Sequence, residues 1–319
     1  MISGVMATYN GRKYIVEQLE SIRLQSRGLD ELVIVDDAST DDTVQMVRDY
    51  IDQHGLQDRW QLHCHEQNAG YIRTFKEALG LARGDIIFLS DQDDRWKPER
   101  VERCYQIMQD KPQIQVLACS FDGIDGSGQT IPVREPVLTA NHGMIMLRSF
   151  KPDQLAQLKL REAVERTIAQ GCTLAITSRV AQRYAADTAD SSIPHDRDLT
   201  ILAAREAGLF FWNHAVIDYR MHEDNTIGLK SDSDDVDVSY RVQEYRAHVQ
   251  IYDEIMRCYG DVDIRRAAAK WKRFTGARLD ALEHRSVAQL VAIAIENIPA
   301  LGIKAGLAMM DARAIKRLG

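Results

Sequence analysis

Short apolar runs alternate with amphipathic helical segments over residues 1–121, and this alternation limits the fold more than any other feature of the chain. Ile2 to Ala7 is apolar, and residues 11–26 then place Ile15, Leu19 and Ile22 on one helical face. Leu32-Val33-Ile34-Val35 reads as a buried strand, Asp41 to His54 as a helix, and Trp60 to His65 as a strand. Ile72, Phe75 and Leu79 mark another helical face. Asp85 to Ser90 holds the apolar run Ile86-Ile87-Phe88-Leu89, residues 98–110 form a helix with Pro98 in its first turn, and Ile114 to Phe121 is the next strand. Strands alternating with helices predict a mostly parallel sheet with crossover helices. Ligands of such sheets sit beyond the carboxyl ends of the strands. Residues that directly follow each strand are therefore the first candidates for chemistry.

The alternation stops after this point. Asp122 to Gly128 reads as a hairpin tip, residues 139–178 are mixed, and Pro194 precedes a helix carrying Leu199, Leu202 and Ala203. Leu209 to Tyr219 is aromatic and strand-like. Lys230 to Val238 is acidic and Ser/Asp-rich, as a linker would be, and the chain beyond it reads as helical. Val242, Tyr245, Val249, Tyr252, Met256 and Tyr259 recur at alternating steps of three and four, which makes one apolar seam. Such a seam packs within the chain or pairs two chains in a homodimer. The expected organisation is a first domain over 1–229, a linker over 230–238 and a helical region over 239–319, the first domain dividing at about residue 121 where the alternation ends.

Charge and cysteine usage remove several classes. The net charge is -7, whereas a general nucleic-acid binder is normally basic. The five cysteines stand singly, so neither a disulfide framework nor a zinc site is suggested, and reduced cytosolic thiols are expected. The N-terminus lacks the basic-then-apolar plan of a signal peptide, and the longest mostly apolar stretch, Val287 to Met310, is broken by Glu296, Pro299 and Lys304. No G-x-G-x-x-G, G-x-x-x-x-G-K-[ST], G-x-S-x-G or H-E-x-x-H pattern occurs.

Four constellations remain. Asp36-Asp37 ends a strand, where a carboxylate can accept from a nucleobase or ribose; the following Ser39, Thr40 and Asp41 equally suit a helix N-cap. Asp91-Gln92-Asp93-Asp94 follows another apolar strand, where paired carboxylates can reach one Mg²⁺ or Mn²⁺; a solvated turn is the plainer alternative. His195-Asp196-Arg197-Asp198 opens a helix, and an acid there serves either as general base or simply to complement the helix dipole. Tyr219-Arg220-Met221-His222 follows the aromatic strand, with two groups suited to a diphosphate by charge and hydrogen bonding.

Taken in order, these segments resemble family-2 glycosyltransferases of the GT-A fold, and more narrowly bacterial rhamnosyltransferase-like members. The resemblance runs from residue 3 to about 229, and implies a catalytic domain there with a nucleotide half (about 1–121) and an acceptor half (about 122–229). It implies an α/β fold with a mostly parallel, Rossmann-like sheet flanked by helices, followed here by a C-terminal helical appendage. Val5 to Gly11 resembles the opening strand and turn that clasp the nucleotide, with Ala7, Thr8 and Tyr9 at the ligand. Glu31 to Thr43 resembles the strand whose terminal acid binds the base, so Asp37 would read a pyrimidine with Asp36 in support. Asn68-Ala69-Gly70 resembles the next nucleotide-side loop, and Phe88 to Pro98 the D-x-D metal segment. There Asp91 and Asp93 fall on the pattern, Asp93 as direct ligand. Gln170 to Thr173, with Gly171 and Cys172, resembles the acceptor-side loop. His195-Asp196 stands where the family usually has Glu-Asp, its second acid being the base; Arg197 replaces a frequent aromatic residue. Tyr219 to Asn225 resembles the segment that closes over the diphosphate, with Arg220 facing it and His222 near diphosphate and metal.

The activity implied is inverting transfer of a sugar, rhamnose first, from a nucleotide-diphosphate donor (dTDP-rhamnose or a UDP-sugar) to a saccharide or lipid-linked saccharide, assisted by Mg²⁺ or Mn²⁺. Cell-surface polysaccharide assembly is the setting that such a reaction suits. A nucleotidyltransferase is the rival enzyme, but Asn10-Gly11-Arg12-Lys13 is a poor substitute for its Gly-rich basic loop. An inactive carbohydrate-binding scaffold is the rival non-enzyme. Residues 261–319 hold eleven Lys/Arg and six Asp/Glu, a local charge of +5 against -12 in residues 1–260. Such a basic helical stretch suits either packing on the core or peripheral contact with the cytoplasmic face of an inner membrane.

Overall fold

The computed structural model describes residues 1–131, 150–165, 167–187, 191–222, 238–296, 308, 311–312 and 314–315. Much of the mixed segment (139–149), the linker except Val238, the Glu223-Asp224-Asn225 end of the last motif and most of 297–319 lie outside them. The chain divides into two compact units, residues 1–190 with 194–229, and residues 191–193 with 230–319.

In the first unit the order is β1 (Ile2–Thr8), α1 (Ile15–Arg23), β2 (Glu31–Asp36), α2 (Thr43–Gln53), β3 (Trp60–Cys64), α3 (Tyr71–Leu81) and β4 (Ile86–Ser90). There follow β5 (Arg95–Trp96), α4 (Arg100–Asp110), β6 (Val116–Asp125), β7 (Thr130–Ile131), β8 (Leu155–Gln157) and α5 (Leu160–Glu165). A single 3₁₀ turn (Gly171–Thr173) leads into β9 (Ala175–Thr177), α6 (Ser178–Ala186), α7 (His195–Ala204) and β10 (Leu209–Met221). Every residue of β2 and of β4 is buried, which is why both read as continuous apolar runs: helices cover both faces of a parallel sheet. The helices bury the expected stripes, Ile15, Leu19 and Ile22 on α1 and Phe75 and Leu79 on α3.

The ten-stranded sheet runs β3-β2-β1-β4-β9-β6-β10-β5, with β7 beside β6 and β8 beside β10. β3, β2, β1 and β4 are parallel, while β9 runs against both β4 and β6. Thr8 pairs with Asp36, Asp36 with Cys64 and Met6 with Ser90, so the turns after these four strands open on one edge. β5 pairs antiparallel with β10 through Ile217–Trp96 and Asp218–Arg95. That pairing carries residues 219–222 to the turn after β4.

The second unit contains α8 (Val238–Cys258), α9 (Val262–Glu283) and α10 (Val287–Glu296). Val238, assigned above to the linker, is the first residue of α8. Within the seam, Tyr245, Tyr252 and Tyr259 are buried, as is Ile255 on α8. Among the described residues no helix is long and apolar enough to cross a membrane. The carboxylate of Asp311 is wholly buried and accepts from Tyr245 Oη at 2.8 Å and Arg278 Nε at 2.7 Å, while Arg278 also donates to Tyr245 Oη. A buried ion pair stripped of one member leaves an uncompensated charge. Asp311→Ala should therefore destabilise the helical unit by about 3 kcal/mol, read as a lower midpoint in chemical denaturation; an unchanged midpoint would count against the network.

Candidate active site

The turns after β1 and β2 build one part of the candidate site. Asp37, at the end of β2, is nearly enclosed, and its carboxylate accepts from Ala69 N at 2.7 Å, Gly70 N at 2.8 Å and His65 Nδ1 at 2.8 Å. Burial alone would raise its pKa, but these donors hold it below the usual carboxylate value. Asn68 Nδ2 donates to the Asp37 carbonyl at 3.2 Å, so the whole 68–70 loop hangs on one residue. Gly70 has φ 84°, a conformation that favours glycine and lets its N–H point back at the carboxylate. Asp36 accepts from Thr8 Oγ1 at 2.7 Å, Ser39 Oγ at 2.6 Å and Ser39 N at 2.8 Å. Its role is to lock the β1 and β2 turns together. Ala7 is half-buried, Thr8 is buried, and Tyr9 stands out at 46% exposure. Asp41, not Ser39 or Thr40, supplies the side-chain acceptor for the start of α2, taking Thr43 N at 3.0 Å.

The acid turn lies beside them. Gln92 pairs reciprocally with the Tyr9 backbone, Tyr9 N to Oε1 at 2.8 Å and Nε2 to Tyr9 O at 2.9 Å. A Cβ on Gly11 would lie 2.3 Å from Gln92 Oε1, so glycine is required for that approach. Asp93 Oδ2 lies 2.9 Å from His222 Nε2. Ligand atoms of Asp91, Asp94 and Cys172 all lie within 4.8 Å of one another. Asp91 keeps some exposed surface, yet the protein around its carboxyl, followed by the charge of Asp93, pushes its pKa up to about 7. Asp94 is 1% exposed and is raised as well, by burial first and then by Asp93 and Asp91. Its Oδ1 accepts from Arg220 N at 3.0 Å, whereas Oδ2 has no hydrogen-bond partner. Crowded acids with an unsatisfied buried oxygen are the donor chemistry that a hard divalent cation neutralises, so these residues fit one.

Two arginines of the motifs lie inside the protein. Arg220, expected at a diphosphate, is 1% exposed, donates from Nε to Asp93 O at 2.7 Å and from Nη2 to Glu17 Oε2 at 2.6 Å, and lies over the Tyr14 ring. Arg197, expected on the acceptor side, is also enclosed. It is buried and donates to Val164 O at 2.6 Å, because one helical step turns it about 100° away from Asp196.

A further cluster centres on the N-terminus of α7. Asp196 is half-buried and accepts from Arg197 N at 2.6 Å; burial pushes its pKa up to about 6 against that hydrogen bond. His195 is 6% exposed, stacks on Phe75 with centroids 4.0 Å apart, and neither ring nitrogen has a hydrogen-bond partner. Burial pushes its pKa down to about 3, so the ring is neutral. The 3₁₀ turn joins the two clusters. Gly171 meets His195, with a Cβ there 2.2 Å from Nε2, and the neighbouring Cys172 meets Asp91 and Asp94. The charge of Asp196 reaches Asp91.

Asp94, Gln92, His65 and Glu17 were not singled out individually from sequence. The first two sit inside the D-Q-D-D string and carry a signal by position. The other two act through partners far apart in the chain, and no local spacing marks them.

The family described as glycosyl transferase family 2 matches residues 3–176. The putative glycosyltransferase EpsE of Bacillus subtilis (strain 168) is 32% identical over 158 residues, 46% of this chain and 56% of EpsE. The putative teichuronic acid biosynthesis glycosyltransferase TuaG of the same organism is 31% identical over 123 residues, 39% of this chain and 46% of TuaG. The matched segment thus spans about half the length of these relatives. Staphylococcus aureus TarS 1–349, solved in complex with UDP-GlcNAc, superposes with a TM-score of 0.59 at 18% identity, over 99% of this chain and 88% of that one. The mannosyltransferase PcManGT from Pyrobaculum calidifontis, in complex with GDP-Man and Mn²⁺, gives 0.59 at 17% identity, over 99% and 80%. Both share the fold.

Gly171→Ala should push the His195 ring out of its slot and shift the start of α7. Misplacement by about 1 Å costs about a hundred-fold in rate, so turnover should drop by about that factor while nucleotide affinity stays unchanged. Wild-type turnover in this variant would show that the slot has no bearing on the reaction.

Proposed function

Since the chain belongs to glycosyl transferase family 2, and is a GT-A glycosyltransferase, we propose that it inverts the anomeric centre of a sugar taken from a nucleotide diphosphate, with Asp196 as the general base. The observation that carries this reading is the link made by Gly171 and Cys172 between the acid turn and the α7 N-terminus. It sets a carboxylate of raised pKa within electrostatic reach of the acids that suit a diphosphate-bound cation.

The residues divide the work. Asp37, kept ionised by three donors, is the acceptor for a pyrimidine imide N–H, with one lone-pair direction still open on Oδ2. Tyr9 offers an exposed ring on the neighbouring turn after β1. Asp93 and Asp91, with His222 at Asp93, would hold Mg²⁺ or Mn²⁺, and the buried Asp94 beside Asp91 would complete the acid cluster that such an ion neutralises. When bound, that ion supplies positive charge to the departing diphosphate. Arg220 keeps the Asp93 carbonyl in place from beneath. An acceptor hydroxyl is a poor nucleophile until its proton is removed during attack, and Asp196 takes that proton on the face opposite the leaving group. The acceptor is a saccharide or a lipid-linked saccharide. Rhamnose as the sugar and dTDP or UDP as its carrier rest on the motif resemblance alone.

Asp196→Asn should lower kcat by about a thousand-fold while dTDP and UDP still bind within two-fold of wild type; full transfer by this variant would remove Asp196 as base. A base acts only when deprotonated, and its folded pKa of about 6 lies above the usual value. Turnover should therefore be level at higher pH and fall ten-fold per pH unit below about 6; an acid limb near 4 would contradict the assignment. Excess chelator should abolish turnover, and Mn²⁺ or Mg²⁺ restore it; undiminished turnover in chelator would sink the metal role.

A further inference from the structure

His65 follows β3, and the Asp36–Cys64 pairing sets it beside Asp37. Its backbone N–H donates to Asp36 O at 2.9 Å, which fixes the ring at the mouth of the nucleotide turn. Nδ1 lies 2.8 Å from Asp37 Oδ1, and Nε2 lies 2.9 Å from Glu77 Oε2 on α3. Each nitrogen thus faces a carboxylate, and an ionised carboxylate only accepts. A neutral imidazole donates from one nitrogen and turns a lone pair outward at the other. The two contacts are satisfied together only by a ring that carries both protons.

We propose that His65 is a positioning residue for the donor: as an imidazolium it ties Asp37 to α3, and nucleotide affinity weakens when that ring loses one of its protons. This rests on the reading of residues 36–70 as the nucleotide turn. The chain of contacts is short. Asp37 Oδ1 is shared by His65 and Ala69 N, and Oδ2 holds Gly70 N. Deprotonation of His65 sets lone pair against lone pair at one end of the strut, so either Asp37 shifts and takes the 68–70 loop with it, or α3 lets go. The charges that dominate at the ring are Asp37 from the β2 turn and Glu77 from α3, both acidic. Burial lowers its pKa, and the two carboxylates outweigh burial and raise it above 6.5. Since the raised form is the cationic one, the strut is complete below that value and is lost as pH rises through the folded pKa.

The test measures UDP and dTDP affinity calorimetrically between pH 6.0 and 8.5, alongside imidazole ¹⁵N NMR of His65. Wild-type affinity should fall about five-fold across the range relative to Glu77→Gln. In that variant the amide can donate to a neutral Nε2, so affinity should stay level. The nucleotide's own titration is common to both and cancels in the ratio. His65→Ala should bind weakly and without this pH dependence. At pH 6.5 the wild-type ring should show two protonated nitrogens. Superposed wild-type and Glu77→Gln traces, or a singly protonated His65 at pH 6.5, would overturn the proposal. If neither nucleotide binds any form at any pH, the donor reading falls, and the affinity role of His65 with it.

Discussion

A buried arginine from the far side of the sheet holds the acid turn, and the site is built around that contact. Asp91, Asp93 and Asp94 repel one another, and burial of two of them makes the repulsion more costly. Left alone, such a turn would open toward solvent. Arg220 prevents this in three ways: its N–H binds Asp94 Oδ1, its Nε binds the Asp93 carbonyl, and its Nη2 reaches Glu17 on α1. The β5–β10 pairing brings it there, secured by Asp218, which takes both Arg95 and Lys97. A second cation, Arg100, lies beneath, donating to Leu89 O at 3.0 Å and stacked on Trp96. Its charge partly offsets the acids above it. Two buried arginines, one of which reads in the sequence as a diphosphate ligand, are thus the reason that the acids can stand together.

The strand–helix alternation and the placement of acids after β2 and β4 were readable because both depend on local pattern. β2 and β4 are apolar throughout since both of their faces are covered, and the acids end them since the sheet's carboxyl edge is where polarity is tolerated. Side-chain direction was not readable. Arg220 sits on a strand, and the face it takes follows from the pairing with β6, which carries two register shifts before Asp218. Arg197 sits one residue from Asp196 on a helix, so neighbours in sequence point to different places. His65 makes sense only when the β2–β3 register and the α3 packing are both known. Motifs named the segments that matter, and tertiary geometry decided which atoms of each segment reach the site.

The two halves treat their carboxylates in opposite ways. At Asp37 the protein supplies two backbone N–H groups and an imidazole, and the acid stays ionised despite burial. At Asp196 it supplies burial and one N–H, and the acid becomes easier to protonate. This contrast suits the proposed roles: a recognition acid must keep its charge and geometry fixed whatever arrives, whereas an acid that accepts a proton needs some affinity for it. The difference comes from the neighbours alone, since both side chains are aspartates at the end or start of a regular element.

His195 shows how far that tuning depends on packing. A protonated imidazole beside Asp196 would stabilise the carboxylate and lower its pKa, weakening it as a base. The chain keeps the ring neutral by enclosing it between Phe75 and the 3₁₀ turn, with no acid paired to either nitrogen. That enclosure exists only because residue 171 has no Cβ; any larger residue would force the ring toward solvent, where it regains its proton near neutral pH. The glycine of the loop and the basicity of the carboxylate are therefore one constraint, transmitted through a histidine that never takes up a second proton.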